Sequence, residues 1–136
     1  MRYLIDTNVL INIIESDYLS NNVRAIINDC ENLIYVSSEC IREFIQLVHA
    51  KSISGKKNNE KIEIFDFVEN ELGFKIKYIA KEHLKTFEKL DLVEGHADPF
   101  DRLIIAQAIT EKTPLISSDK KFPKYRKQGL EFIPNY

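Results

Sequence analysis

The sequence predicts an α/β protein, with a three-layer α/β/α fold built on a mainly parallel central sheet. Short apolar stretches that fit buried strands alternate with longer stretches whose apolar residues recur at helical spacing, which is the pattern of βαβ units. In addition, the helix predicted from residue 98 onwards is apolar on nearly every side. Such a helix normally lies buried between other layers.

The elements follow from local patterns, taken in chain order. Strands are predicted at residues 3–5, 33–36, 74–79, 115–117 and 130–133. Helices are predicted at residues 7–14, 22–29, 38–50, 60–72 and 82–92, and from residue 98 to about residue 108. The strand at 74–79 alternates Phe74, Ile76 and Tyr78 with lysines, which indicates an edge strand with one solvated face. Residues 52–59 predict a mobile loop, and residues 119–125 an irregular or short helical turn.

The start of the helix at residue 98 has strong capping signals. Asp98 suits the N-cap, Pro99 the first helical position, and Asp101 the third position, as in a capping box. Two carboxylates therefore sit at the positive end of a buried helix. The preceding helix at 82–92 and the turn after it allow this end to lie at the carboxyl edge of the sheet.

Composition limits the protein classes. A chain of 136 residues predicts one domain, 1–136, with a single core. No apolar run approaches the ~20 residues that span a membrane, and no signal peptide is recognisable, so a cytoplasmic protein is expected. Cys30 and Cys40 form no metal-binding pattern and are expected to fill the core. The formal net charge of −2 means that nucleic-acid binding would depend on local basic patches.

Acidic residues follow or lie near the predicted carboxyl ends of several strands. In a parallel sheet that edge is where ligands bind. The acids are Asp6, Glu43, Asp98, Asp101 and Asp119. Each has an ordinary alternative: Asp6 and Asp98 suit helix caps, Glu43 lies outside the apolar stripe of its helix, and Asp119 suits a turn. The prediction of a site therefore depends on the whole set.

Two strings in the sequence resemble the PIN domain, and most of all the VapC-type toxins of bacterial toxin–antitoxin pairs. They are Asp6-Thr-Asn after the first strand and His96-Ala-Asp-Pro-Phe-Asp-Arg at the buried helix. The resemblance spans nearly the whole chain and implies single-stranded RNA as substrate, Mg²⁺ or Mn²⁺ as cofactor, and products with 5′-phosphate and 3′-hydroxyl ends. Its acidic set corresponds to Asp6, Glu43, Asp101 and Asp119. It also implies a cognate antitoxin partner and a homodimer.

Electrostatics independently favours a metal ion. Two carboxylates about 4 Å apart repel by roughly 4 kcal/mol at an effective dielectric constant near 20, so a converging set needs a proton or a cation. Oxygen ligands favour a hard ion such as Mg²⁺ or Mn²⁺. We expect Asp6, Asp101 and Asp119 to hold the metal directly or through water, and Glu43 to orient the attacking water or hold a second ion.

Basic residues close to this set are candidates for contacts with the RNA backbone. Lys120, Lys121 and Lys124 follow Asp119 and are predicted to bind substrate, although a lysine run is most often a solvated surface. A second group of lysines brackets the loop at 52–59. Arg102 is expected to pair with a neighbouring carboxylate.

Other functional classes remain open at this point. A phosphoacceptor receiver domain is also a parallel α/β fold with clustered acids, but Asp6 has no acidic neighbour and the third strand ends in Ile79-Ala80. A non-catalytic PIN-like scaffold and a housekeeping RNA-processing nuclease share the fold. For a partner, we expect Leu10, Ile14 and Leu19 to be exposed on the early helices, where an antitoxin helix or a second copy would cover them.

Overall fold

The computed structural model describes residues 1–136 and contains a central five-stranded sheet. The first elements are β1 (Arg2–Ile5), α1 (Thr7–Ile14), α2 (Asn21–Asn28), β2 (Leu33–Ser37) and α3 (Ser38–His49). A hairpin of β3 (Lys56–Lys57) and β4 (Glu60–Lys61) precedes α4 (Ile64–Asp66), a π-helical segment (Phe67–Glu71) and β5 (Lys75–Lys77). The remaining elements are α5 (Lys81–Lys89), α6 (Pro99–Glu111), β6 (Leu115–Ser117), a 3-10 helix (Phe122–Gln128) and β7 (Phe132–Pro134).

The central sheet has the strand order β5-β2-β1-β6-β7, and every neighbouring pair is parallel. Ile5 lies opposite Val36 on one side and Ile116 on the other, so β1, β2 and β6 end at the same edge. Helices join the strands on both faces, because right-handed crossovers use one face while the chain moves from β1 to β5 and the other after it returns to β6. The predicted three-layer fold is confirmed, and β5 is at an edge.

The chain reverses its direction across the sheet between β1 and β6. It leaves β1 towards β2 and β5, and then returns to the opposite side of β1 to form β6 and β7. Loops on the two sides of this point turn to opposite faces, which opens a crevice beyond the carboxyl ends of the strands. The topology thus creates a place for a site between the ends of β1 and β6.

Helix α6 is the buried helix that the sequence predicts. Its residues 104–108 are all buried, including Gln107 in the middle of the apolar run. It packs along α5, and the apolar core around it joins residues of β1, β2, β6 and β7 with residues of α1, α2, α3 and α6. This packing fixes the position of the acidic residues at the start of α6.

The prediction of a mobile loop at residues 52–59 is wrong in part, because residues 56–61 form the hairpin of β3 and β4. Asn58 and Asn59 both have positive φ, at 53° and 64°, and connect Lys57 to Glu60 as a two-residue turn. The helix predicted from residue 60 therefore begins only at Ile64, where the Glu63 side chain caps it by accepting hydrogen bonds from two backbone N–H groups.

Several predictions of exposure are also wrong. Leu10 and Ile14 are buried, with 0% and 2% of their surface exposed, because both belong to the apolar core; Leu19 is only partly exposed. Tyr78 is 61% exposed because the strand ends before it, at Lys77. Cys40 is buried as expected, whereas Cys30 is exposed, and both thiols are free. No helix combines the length and the apolar character that crossing a membrane requires.

Candidate active site at the carboxyl edge of the sheet

An acidic pocket of about 170 Å³ lies beyond the carboxyl ends of β1 and β6. Its lining consists of Asp6, Thr7, Asn8, Glu43, Asp98, Asp101, Ile104 and Asp119. The structure therefore brings together all four acids that the sequence marks as catalytic, with Asp98 beside them. No basic side chain lines the pocket.

Asp6 has both a capping contact and a place in the pocket. It directly follows β1 and is the N-cap of α1, where Oδ1 accepts a hydrogen bond from the Val9 N–H at 3.1 Å. Oδ2 accepts a hydrogen bond from the hydroxyl of Ser117. Burial raises the pKa of Asp6 to about 7, and the nearby Asp101 and Glu43 carboxylates act in the same direction. Asp6 therefore both caps α1 and belongs to the acidic pocket.

Ser117 connects two of the acids. Its hydroxyl oxygen donates to Asp6 and also accepts a hydrogen bond from the Asp119 N–H at 3.0 Å. The Asp119 carboxylate in turn accepts from the Lys121 N–H at 2.8 Å, as in an Asx turn. Ser117 is completely buried at the end of β6 and fixes Asp119 relative to Asp6. Sequence reasoning missed it, although it directly ends a predicted strand.

Asp98 and Asp101 lie at the start of α6, as predicted. Asp98 is the N-cap and accepts hydrogen bonds from the backbone N–H groups of Phe100 and Asp101, at 2.9 and 3.5 Å. The expected capping box is only half formed, because the Asp101 carboxylate lies 3.3 Å from Nε2 of His96 and makes no contact with the Asp98 N–H. Burial and the Asp98 charge raise the pKa of Asp101 to about 6, while His96 opposes the shift.

His96 is the second residue that sequence reasoning missed. It is only 4% exposed, its Nδ1 lies 2.7 Å from the Tyr125 hydroxyl, and its ring contacts Phe122 and Tyr125 edge-on. An ionised Asp101 is only an acceptor, so Nε2 donates to it, and in the neutral imidazole Nδ1 then accepts from the Tyr125 hydroxyl. The signal was its position five residues before Asp101, within the resembling string.

The donor set fits a divalent cation. Ligand atoms of His96, Asp101 and Asp119 all lie within 4.8 Å of one another. Asp6 is outside this closest group, and its two oxygens already accept hydrogen bonds from Val9 and Ser117. Burial is the main cause of the raised pKa values of Asp6 and Asp101, and neighbouring carboxylates add to it; a hard cation among these oxygens would favour their ionised forms.

Glu43 enters the pocket from α3. It is half-buried on the second turn of the helix, and its carboxylate makes no hydrogen bond or ion pair within the chain. It is therefore not the fully solvated surface residue that its sequence position alone suggests. Its carboxylate is available to accept a proton or a hydrogen bond from a molecule in the pocket.

The predicted lysines are exposed in the segment that follows Asp119. Lys120, Lys121 and Lys124 make no ion pair, although the Lys120 ammonium lies 5.2 Å from the ring centre of Tyr136 and Lys124 contacts the Glu94 carbonyl at 3.5 Å. The pairing expected for Arg102 is wrong. Its guanidinium instead donates to the Leu90 carbonyl at 3.0 Å and lies over the Phe87 ring, because its helix packs against that segment.

Comparison with solved structures agrees with the fold of this chain. Solved structures with the same fold include VapBC2 from Rickettsia felis bound to a DNA fragment from its promoter, with 24% identity, a TM-score of 0.68 and 98% of both chains covered. DNA-bound VapBC from Salmonella typhimurium has 15% identity and a TM-score of 0.72 over 100% of this chain and 99% of that one. VapBC-5 from Mycobacterium tuberculosis, a toxin–antitoxin system, has 16% identity and a TM-score of 0.66 over 98% of both chains.

No curated protein matches the sequence significantly. The sequence profile of the PIN domain, however, matches residues 3–128, which include every acid of the pocket and all of the central strands except Arg2 of β1 and the edge strand β7. A match of this length agrees with the strand order and with the acids that meet at the carboxyl edge. The chain belongs to the PIN domain family.

Proposed function

We propose that this chain is a divalent-metal-dependent endoribonuclease that hydrolyses phosphodiester bonds of single-stranded RNA, and that it is the toxin of a cytoplasmic toxin–antitoxin pair. The observation that carries the proposal is the convergence of Asp6, Glu43, Asp101 and Asp119 from four separate parts of the chain on one pocket. PIN domains are nucleases, which supports this chemistry.

In the proposed reaction, Asp101 and Asp119 hold Mg²⁺ or Mn²⁺, and Asp6 contributes its charge from the pocket wall. A divalent cation bound there would neutralise negative charge on the phosphate and would lower the pKa of the attacking water. Glu43 orients that water and accepts its proton. His96 holds Asp101 in place, and Ser117 holds Asp119 in a fixed position relative to Asp6.

The RNA backbone needs cations outside the pocket, since the pocket itself contains none. Lys120, Lys121 and Lys124 are exposed beside Asp119, and we assign them to phosphate contacts on the strand that leaves the site. Attraction by these lysines offsets the repulsion between the RNA and the acidic rim.

The proposed partner is an antitoxin protein. The solved structures of the same fold described above are VapBC toxin–antitoxin complexes, which supports such a partner for this chain. An acidic pocket can accept an arginine of the antitoxin, whose guanidinium fork pairs with carboxylates in place of metal and phosphate. We also propose that the chain forms a homodimer.

The experiment is cleavage of an end-labelled, unstructured RNA by the purified chain, with added Mg²⁺ or Mn²⁺ and with a chelator. We expect cleavage with either ion and none with the chelator. Asp119→Asn should lower the rate by about 10²-fold or more, because the cation site then has one carboxylate fewer. Absence of cleavage by folded wild-type protein with either ion would contradict the nuclease assignment and favour a non-catalytic scaffold.

A further inference from the structure

Two exposed aromatic residues, Phe100 and Tyr136, each have a cation over one face of the ring. The Arg42 guanidinium lies 4.1 Å from the ring centre of Phe100, and the Lys120 ammonium lies 5.2 Å from that of Tyr136. The two rings are 42% and 51% exposed. Arg42, Phe100 and Lys120 directly adjoin the pocket acids Glu43, Asp101 and Asp119 in the chain, so both pairs lie close to the residues that line the pocket.

The first pair is a rigid, flat surface. Arg42 Nε contacts Glu39 at 2.6 Å and Nη1 contacts Gln46 at 2.5 Å, both on its own helix. Hydrogen bonds of a guanidinium lie in its plane, so they hold the group without covering its faces. Phe100 is fixed by its place in the first turn of α6, between Asp98 and Asp101.

The second pair is held in place by Asn135. This side chain is 2% exposed, accepts a hydrogen bond from the Ser20 N–H at 2.8 Å, and donates to the Ser118 hydroxyl at 3.0 Å. The Asn135 N–H donates to the Ser117 carbonyl at 2.9 Å. Asn135 is therefore hydrogen-bonded to Ser117 and Ser118, the two residues before Asp119. These bonds hold the C-terminal segment that carries Tyr136 close to Asp119.

The strand order puts the two pairs on opposite sides of the pocket. Arg42 belongs to the helix that follows β2, whereas Lys120 and Tyr136 follow β6 and β7. Strand β1, which ends at Asp6, lies between β2 and β6. A strand of RNA that crosses the pocket therefore meets one ring before the acids and the other after them.

We propose that these pairs, Arg42–Phe100 and Lys120–Tyr136, are two stacking subsites for unpaired nucleobases on either side of the cleaved phosphate. This inference rests on the proposed ribonuclease function and specifies how the substrate is held. Every base has a flat π-surface, and stacking on an aromatic ring or a guanidinium plane needs a base that is free of a duplex. The subsites explain selection of single-stranded RNA without a base-specific motif.

The test compares leucine substitutions, which remove the π-surface and keep an apolar side chain, with substitutions that keep the ring. The leucine variants are Phe100→Leu and Tyr136→Leu, and the conservative variants are Phe100→Tyr and Tyr136→Phe. A matched control is Phe65→Leu, since Phe65 is 38% exposed in a separate apolar groove with Ile45 and His49. Affinity is measured by fluorescence anisotropy with a labelled unstructured RNA, in an Asp119→Asn background that slows cleavage.

We expect each leucine variant to weaken RNA binding by about 5- to 150-fold, the range that corresponds to roughly 1–3 kcal/mol per stacked base. The conservative variants and Phe65→Leu should stay close to the parent. In the cleavage-competent chain, the leucine variants should raise KM and change kcat much less. Abasic nucleotides placed one at a time should weaken binding at two positions, and at only one in each leucine variant.

Leucine variants that bind RNA like Phe65→Leu would overturn the subsites, and metal-dependent cleavage by the parent would in that case leave the nuclease proposal intact. Loss of binding in the leucine variants, with no cleavage by the wild type in any metal, would support the subsites and refute the nuclease. RNA that fails to bind even the parent chain would overturn both.

Discussion

At the scale of single residues, Asp6 is the most informative group, because it is both a helix cap and an acid of the pocket. Its pKa is raised from 3.8 to about 7 by burial. A group with a raised folded-state pKa stabilises the fold when protonated, and that stabilisation is complete below the unfolded pKa and disappears as the pH rises through the folded one.

In metal-free buffer, the free energy of unfolding should therefore fall between about pH 4 and pH 7, by about 1.4 kcal/mol per pH unit for this single group. Urea unfolding across this range measures the slope. The difference between wild type and Asp6→Asn isolates the contribution of Asp6 together with its coupling to Asp101 and Glu43, because groups that do not interact with Asp6 cancel. A difference that does not depend on pH would mean that Asp6 is ionised at neutral pH without a cation.

His96 should act through Asp101 and Tyr125. In His96→Ala the Tyr125 hydroxyl is left without its hydrogen-bond partner in a buried position, which should lower the free energy of unfolding by about 1–3 kcal/mol. RNA cleavage should also fall, because the imidazole no longer orients the Asp101 carboxylate. His49→Ala is the control, since His49 is exposed. Equal stability of the two variants would refute the buried network.

The sequence was sufficient to predict the acids of the pocket but not the residues that hold them. Asp6, Asp101 and Asp119 follow strands or begin a helix, so their edge of the sheet could be inferred from topology. Ser117 and His96 act through contacts with residues 111 and 5 positions away, and neither residue type is diagnostic of such a role. Those contacts depend on tertiary packing, which local sequence patterns do not indicate.

At the scale of elements, α6 was predicted correctly from the sequence, whereas the hairpin of β3 and β4 was not. Helix α6 was predictable because its cap, its proline and its continuous apolar run all agree. The hairpin was missed because its turn, Asn58-Asn59, lies in a stretch of lysines without apolar alternation, and because the pattern of the following helix was extended too far back. The tolerance of asparagine for positive φ at Asn58 and Asn59 allows the tight turn of the hairpin.

The segment after β6 supports a prediction about substrate binding. Replacing Lys120, Lys121 and Lys124 with alanine should weaken RNA binding and reduce its salt dependence by roughly 0.7 log unit per log unit of salt for each phosphate that is no longer neutralised. RNA affinity measured at several salt concentrations gives this slope.

A matched triple variant replaces Lys75, Lys81 and Lys85, which are exposed lysines outside the acidic pocket, and removes the same charge. This control should keep the wild-type slope apart from a small long-range effect. The same slope in both triple variants would show that the lysines beside Asp119 contribute only general charge.

At the scale of the whole molecule, the strand order is what turns separated acids into a site. Residues 6, 43, 101 and 119 meet because β1 and β6 are neighbours and α6 begins at their carboxyl edge. An active ribonuclease of this kind should be harmful to a cell without its antitoxin. We expect expression of the chain alone to arrest growth of a bacterial host, and Asp6→Asn not to do so.

Co-expression with the protein encoded beside this chain should restore growth, and pull-down should recover the two proteins together. Normal growth while soluble wild-type protein accumulates would count against a toxin. In that case a housekeeping RNA-processing nuclease of the same fold would account better for the acidic pocket.

The central claim, that the acidic pocket hydrolyses RNA with a bound cation, is tested most directly by the chemistry of the product ends together with the pocket variants. With Mg²⁺ or Mn²⁺, the wild type should leave 5′-phosphate and 3′-hydroxyl ends, while Asp6→Asn and Asp101→Asn should leave the RNA intact. Asp98→Asn is the matched control and should keep activity, because asparagine still caps α6. Cyclic 2′,3′-phosphate ends, or near wild-type cleavage by Asp6→Asn or Asp101→Asn, would contradict the account.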